Sequence, residues 1–471
     1  KREHPRYLHR VNQASAIVLR EAGVIEAAEC AAILRGLAAI AAEVDPAALT
    51  YTGEHEDYFF VVDAELRRRV GADAAGRLHT GRSRNDIDHT IFKIALRDRL
   101  LDYLGELLRL TETLIAVADR HRETIVLAYT HGQPAQPTTF GHYLGALIEV
   151  LQRDCGRLLH AYATVDLCSL GAAAITTSGF GLDRARLAAL LGFGAAQENA
   201  YGAISACDYI TEPYAMLKVH LLNLGRFAQD LGFWTAFEVG QLRLPDGLVQ
   251  ISSVMPQKRN PVPVEHLRLL ASLAAGRCET VLGTLHNTPF TDINDAESEV
   301  QEAGYEAFAT AGRALRLLRG VVDAAEIDEV KVRGHIEASC ATITELADSL
   351  VRAERITSRE GHTIASRLAA HVIGAGGSLA GLEFGVFARE FAAVAGRPTR
   401  LGAGELRRFV TPEHFVAVRG MFGGPAALGE SLARYRVRLA EQGREIERLR
   451  AQVAAGGRLL EAAVSAAVES V

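Results

Sequence analysis

The run Thr90-Ile-Phe-Lys-Ile-Ala-Leu-Arg-Asp-Arg-Leu-Leu-Asp-Tyr-Leu-Gly-Glu-Leu-Leu-Arg-Leu-Thr-Glu-Thr-Leu-Ile-Ala-Val-Ala-Asp-Arg-His-Arg122 carries the longest unbroken helical pattern of the chain. Ile91, Ile94, Leu101, Leu104, Leu108, Ile115 and their neighbours recur at the spacing of one helical face. The run holds no proline and a single glycine, Gly105, so it predicts a helix longer than ordinary globular ones. Four more long patterns follow: about Phe140 to Thr164, Thr211 to Leu242, Pro263 past Val281, and Ser298 to Val322. Five such helices in succession predict an all-α fold built on an elongated bundle. Upstream, Ala14–Val44 reads as two short helices broken at Gly23, and Tyr58–Val70 as a third. Past Ala341 the glycines at 374, 376, 377, 402 and 404 predict shorter helices in a smaller helical domain.

The chain has 471 residues, too many for one ordinary core. The expected division is an N-terminal helical domain (1–86), a central long-helix bundle (87–340) and a small C-terminal helical domain (341–471). Hydrophobic residues make up 49% of the chain, ample for a large interior, and 13 prolines leave room for long helices. The net charge of −6 favours neither nucleic acid nor a membrane surface as partner. Cys30, Cys155, Cys168, Cys207, Cys278 and Cys340 are scattered without a C-x-x-C pair, which suits buried thiols in a reducing cytoplasm. No apolar run is long enough to cross a membrane. Lys1-Arg2-Glu3-His4-Pro5 is not followed by the apolar core of a signal peptide.

Three polar islands interrupt the helical patterns. The first, His79-Thr-Gly-Arg-Ser-Arg-Asn-Asp86, precedes the longest pattern. Asn85 or Asp86 suits a helix cap, the helix terminus favours an anion, and Arg82 and Arg84 are bidentate carboxylate donors. The second, Tyr129-Thr-His-Gly-Gln-Pro-Ala-Gln-Pro-Thr-Thr-Phe-Gly-His142, reads as a loop stiffened by two prolines that presents a hydroxyl, an imidazole and two amides. The third, Ser252-Ser-Val-Met-Pro-Gln-Lys-Arg-Asn-Pro261 with Glu265 beyond it, has neither helical nor strand period. Its lysine, arginine, asparagine and serines suit a loop that holds carboxylates. Each island alone is equally consistent with a capped helix start, a structural histidine or a solvated loop. None has metal-ligand spacing, and no phosphate-binding glycine motif is present, so neither a metal nor a nucleotide cofactor is expected.

In this order and spacing the three islands resemble the aspartase/fumarase superfamily, most closely its argininosuccinate lyase branch. Gly181-Leu-Asp-Arg184, Leu191-Gly-Phe193, Asn199, Ser205 and Asp208 extend the resemblance along most of the chain. It implies a homotetramer with a 20-helix core, active sites shared by three subunits, a small dicarboxylate substrate, fumarate as product and no cofactor. It implies a carbon–nitrogen lyase acting by β-elimination on an N-substituted L-aspartate through an aci-carboxylate, in the cytoplasm.

Carried onto this sequence, the resemblance implies Ser252 as catalytic base on a mobile loop, His131 as the other acid/base residue and Glu265 as the carboxylate that orients it. Lys258 and Asn260 match carboxylate binders. Ser83, Arg84, Asn85, Thr130, Gln133, Ser253 and Met255 complete the expected substrate contacts.

Departures from the branch cluster on the leaving-group side. The glycine expected before the two serines is Ile251, and the glutamine expected after Asn85-Asp86 is Ile87. The N-terminal substrate-contacting serine aligns with Asn12. A Tyr-Asn-x-Asp-Leu-Gln-Glu-x-Lys segment becomes Pro289-Phe-Thr-Asp-Ile-Asn-Asp-Ala-Glu297, so glutamine is replaced by Asn294 and lysine by Glu297. The Asp-Arg expected after Ser205 is Ala206-Cys207. Asn12, Asn294 and Glu297 are therefore specificity candidates, and the implied amine differs from arginine, as in an aminopolycarboxylate such as ethylenediamine-disuccinate. The alternatives are an ordinary argininosuccinate lyase of arginine biosynthesis and a catalytically silent, crystallin-like relative. The presence of Ser252, His131, Lys258, Asn260 and Glu265 weighs against the silent one.

Overall fold

A computed structural model describes residues 4–470. Lys1, Arg2 and Glu3 of the N-terminal reading lie outside the described residues. Helices α1 (His4–Glu21) and α2 (Ala27–Glu43) flank Gly23, whose φ of +70° turns the chain where a side chain would be strained. Helix α3 (Tyr58–Val70) starts at Asp57, which accepts the Phe59 and Phe60 amides. The short α4 (Ala72–Arg77) follows directly.

The opening run becomes α5 (Arg84–Arg120), 37 residues long. Ser83 and Asp86 form a capping box at its start. Its face from Ile87 to Ala118 is buried. Arg97, wholly buried, donates to the Leu191 and Gly192 carbonyls at 3.1 and 2.9 Å and lies 3.7 Å from Asp166. A buried guanidinium is tolerated only with partners of this kind.

The second island is a hairpin rather than an irregular loop. Strand β1 (Ile125–Thr130) pairs antiparallel with β2 (Gln133–Thr139). Pro134 and Pro137 are accommodated because a two-stranded ribbon leaves donor positions open. Then come α6 (Phe140–Val165), the strand pair β3 (Leu167–Cys168) and β4 (Ala195–Ala196) around α7 (Arg184–Leu190), and α8 (Ala200–Ser205). Helix α9 (Asp208–Thr235) precedes β5 (Leu242–Arg243). The third island is tied at its base by β6 (Gln250–Ile251) and β7 (Arg259–Asn260), and leads into α10 (Val262–Thr284). Helix α11 (Ser298–Ala324) closes the bundle and β8 (Glu326–Ile327) pairs with β5. The five expected long helices are α5, α6, α9, α10 and α11.

Helices α12 (Glu329–Ala338), α13 (Ile343–Glu354), α14 (Ser358–Gly374), α15 (Phe384–Ala395), α16 (Ala403–Phe409) and α17 (Pro412–Ala417) follow. An apolar cluster of its own joins Cys340, Leu346, Leu350, Phe387, Phe391 and Val410. The last helix, α18 (Leu428–Glu469), corrects the expectation of only short helices past Ala341: it spans 42 residues and its Leu432, Tyr435, Ile446 and Leu460 join the main core. Gly192 and Gly456 let α18 meet the turn after α7, because a Cβ on Gly456 would fall on the Gly192 backbone.

Candidate active site

Helix α5 separates the islands. At 1.5 Å per residue its 37 residues span about 55 Å, with the first island at its start and the second just past its end. The third island shares the far end. Tyr129 meets Phe233 at 5.1 Å between ring centres, Tyr143 meets Trp234 at 4.4 Å, and Gln241 bonds both the Leu127 amide and carbonyl at 3.1 Å. Residues 289–297 instead lie at the start of α5, where Asp292 stands 3.5 Å from His89. One chain therefore brings Ser83, Arg84, Asn85, Asn12, Asn294 and Glu297 to one end of the bundle. Thr130, His131, Gln133, Ser252, Ser253, Met255, Lys258, Asn260 and Glu265 lie at the other.

At the first end the backbone is held by Asp86, not by Asn85. Asp86 accepts from the Ser83 amide at 2.9 Å and from the Gly171 and Ala173 amides at 2.8 and 3.0 Å. Burial pushes its carboxyl up to about 6, although these three donors pull the other way. Ser83 Oγ donates to Asn85 Oδ1 at 3.2 Å, and Asn85 Nδ2 donates to the Ala174 carbonyl at 3.1 Å. Arg82 reaches back to Asn12 Oδ1 at 2.7 Å and Ser15 Oγ at 3.1 Å, which accounts for a buried Asn12.

Arg84 is surrounded by carboxylates: Asp57 at 2.5 Å, Glu56 at 3.2 Å and Asp88 at 3.4 Å. Asp88 is pushed up to about 7, mainly by burial; Arg84 pulls the other way, while Glu297 and Asp57 add to the rise. Glu297 is itself raised, first by burial and then by Asp292. His89, almost fully buried, meets the Tyr209 hydroxyl through Nδ1 at 2.9 Å. Burial lowers its pKa. Asp57, Asp88, His89 and Asp292 were not singled out in the sequence. Asp88 was legible as the i+4 partner of Arg84 on one helix face.

At the other end, Thr130, His131 and Gln133 cap the hairpin and are exposed. His131 and Gly132 have φ of 54° and 73°, the left-handed pair a two-residue turn of type I′ requires. This aims the imidazole outward. Ser252 is half-buried, and its Oγ accepts the Val254 amide at 3.3 Å and the Met255 amide at 3.0 Å. Two amide donors on a hydroxyl oxygen favour its deprotonated form. Met255 and Lys258 are exposed on the same loop, and Lys258 donates its amide to the Met255 carbonyl at 2.9 Å. Arg259 anchors the loop base through Asp246 and through the Leu244 carbonyl at 2.7 Å. Glu265 is exposed in the first turn of α10. Among the described residues, no three or more His, Cys, Asp or Glu gather as a metal-holding group, and no helix is long and apolar enough to cross a membrane.

A family model described as "Lyase" matches residues 4–276. A protein called argininosuccinate lyase 2 from Agrobacterium fabrum is 51% identical over 450 residues, 95% of this chain and 89% of that protein. An argininosuccinate lyase from Methanothrix thermoacetophila is 35% identical over 88% of this chain and 83% of its own length. Among solved structures, EDDS lyase in complex with formate superposes with a TM-score of 0.88 at 28% identity, covering 99% of this chain and 92% of that one. A match over more than half the chain, joined by relatives of this identity and coverage, means that the chain belongs to the lyase family, in the argininosuccinate lyase branch of the aspartase/fumarase superfamily.

Proposed function

We propose that this carbon–nitrogen lyase releases fumarate from an N-substituted L-aspartate whose amine is not arginine. In this reading Ser252 removes the β proton, helped by the Val254 and Met255 amides that already point at its oxygen. The electron pair passes into the neighbouring carboxylate, and Lys258, Asn260 and Ser83 stabilise the resulting aci-carboxylate. The carbon–nitrogen bond then breaks, its electrons return to nitrogen, and nitrogen takes a proton. His131, oriented by Glu265, serves as the second acid/base residue. Thr130, Gln133, Asn85, Ser253 and Met255 line the dicarboxylate.

The observation that carries the choice of amine is Glu297, which stands among Asp292, Asp57 and Glu56 with Arg84 as the nearby cation. The amino acid end of arginine would bring its carboxylate into this region, and like charges repel there. A second reading, an ordinary argininosuccinate lyase, is favoured by the 51% identity to the Agrobacterium protein. Proton NMR of fumarate release from argininosuccinate, ethylenediamine-disuccinate and simpler N-substituted aspartates decides. Fast turnover of argininosuccinate overturns the first reading, and fumarate only from the others overturns the second.

We also propose a homotetramer in the cytoplasm, with three subunits contributing to each site. The separation of the islands by the length of α5 supports this, because the parts needed for one reaction cannot meet within one chain. Exposed Val219, Leu222, Leu269 and Leu273 on α9 and α10 provide apolar surface for such an assembly. The proposed domain limits stand at residues 86 and 340. The separate cluster from Cys340 to Val410 supports the second limit, with α18 returning to the bundle.

A further inference from the structure

We propose that His89 is a positioning residue for the leaving-group side of the reaction: oriented by Tyr209, its imidazole fixes the Asp292 carboxylate and with it the segment 289–297. The inference rests on the reading that this segment faces the leaving amine, and it names the side chains that hold it there.

His89 lies on α5, one turn beyond Ser83, Arg84 and Asn85. It is 1% exposed and joins three parts of the chain. Its Nδ1 meets the hydroxyl of Tyr209, in the first turn of α9, at 2.9 Å. Its Nε2 faces Asp292 Oδ1 at 3.5 Å, and that oxygen is buried too. Tyr209 and Phe92 also pack edge-on against the imidazole, with ring centres 5.8 and 6.2 Å away. A ring held at Nδ1 and by two aromatic neighbours keeps one orientation, so Nε2 keeps one direction.

The protons follow from the partners. A carboxylate oxygen only accepts, so Asp292 calls for a hydrogen on Nε2. Burial disfavours a charged His89, so Nδ1 then carries none and accepts. The Tyr209 hydroxyl, which burial keeps protonated, donates to it. Tyr209 thereby selects the tautomer that serves Asp292.

Asp292 stands within the segment whose Asn294 and Glu297 depart from the branch pattern. Its side chain keeps 31% of its surface while Oδ1 is buried against His89. Gln301 Nε2 holds the far part of the segment through the Ala296 carbonyl at 3.0 Å. His89 holds the near part. A segment that chooses between amines must keep one shape, and its supporting side chains set that shape without touching substrate.

The test measures fumarate release by the full-length protein from argininosuccinate, ethylenediamine-disuccinate and simpler N-substituted aspartates, and continues with the fastest substrate. Succinate, which lacks the amine, is the inhibitor that probes the dicarboxylate half. His89→Leu should raise KM about tenfold or more and leave the succinate inhibition constant within about twofold of wild type. His89→Gln offers an amide N–H where Nε2 stood and should recover most of the loss. Tyr209→Phe keeps the ring, releases the tautomer and should raise KM about threefold, again without moving the succinate constant. It carries the test if His89→Leu does not fold. Unchanged KM in the folded variants, equal shifts for substrate and succinate, or a Gln variant no better than the Leu one overturns this inference, while fumarate release by wild type upholds the lyase reading. Absence of fumarate from all of these compounds overturns both.

Discussion

The Ser252 hydroxyl oxygen accepts the Met255 amide across 3.0 Å, so the loop binds its own serine as a helix start binds an anion. The Val254 amide adds a longer bond at 3.3 Å. These donors gain most when the oxygen is negative, the form that the proposed role as base requires. Ser252→Ala should lower kcat on the order of 10³-fold or more while leaving the mass seen in light scattering unchanged from wild type. Activity within tenfold of wild type would remove Ser252 from the chemistry.

Asp86 joins the start of α5 to the loop at 171–173 through three backbone donors. Asp86→Ala leaves those amides without their acceptor. The loss should be about 2–4 kcal/mol, from the capping box and the orphaned donors together. Urea unfolding measures it. Because Ser83 and Asn85 sit on the same turn, KM for the dicarboxylate should rise as well. An Asp86→Ala protein of wild-type stability would contradict the role.

The bundle and the departures from the family pattern were legible in the sequence for physical reasons. Long helices write a 3.6-residue period over many turns, and Thr90 to Arg122 carries it without interruption. Helix α18 escaped because Arg434, Arg436, Arg438, Arg444 and Arg448 dilute its stripe, and Gly443, Gly456 and Gly457 resemble breaks. Gly456 is required by contact with Gly192, which only the fold reveals. The hairpin at His131 was hidden by its prolines. Glu297 was singled out by its changed charge. Its neighbours Asp88 and Asp57 were not, because 209 and 240 residues of chain separate them from Glu297 until the fold assembles the group.

Asp88 gives a pH dependence whose sign follows from its surroundings. Its carboxyl moves from 3.8 to about 7, mainly through burial. Arg84 on its own helix opposes this, and Glu297 at the start of α11 and Asp57 before α3 reinforce it. The folded protein thus holds a proton that the unfolded chain has released. The associated stability is present below about pH 4 and is lost as pH rises through about 7. Asp88→Asn is neutral throughout, so its stability relative to wild type should increase between pH 5 and pH 8. The increase should be on the order of 1–3 kcal/mol. A constant difference across that range would mean that Asp88 is ionised throughout.

Gly304 on α11 receives the side chain of Tyr214 from α9. A Cβ there would fall on the Tyr214 hydroxyl and ring. Tyr214 is wholly buried, packs against Phe308 at 5.5 Å between ring centres, and its hydroxyl has no hydrogen-bond partner. Tyr214 is buried, so the added methyl must displace its ring or shift α11. Gly304→Ala should cost about 1–3 kcal/mol even though alanine favours helix by about 1 kcal/mol. Shortening the opposing side chain reverses the logic. In a Tyr214→Leu background the same glycine substitution should cost less than in wild type, and the double-mutant cycle in urea gives the coupling directly. If the two changes add without coupling, the helices yield elsewhere and the contact does not set their spacing.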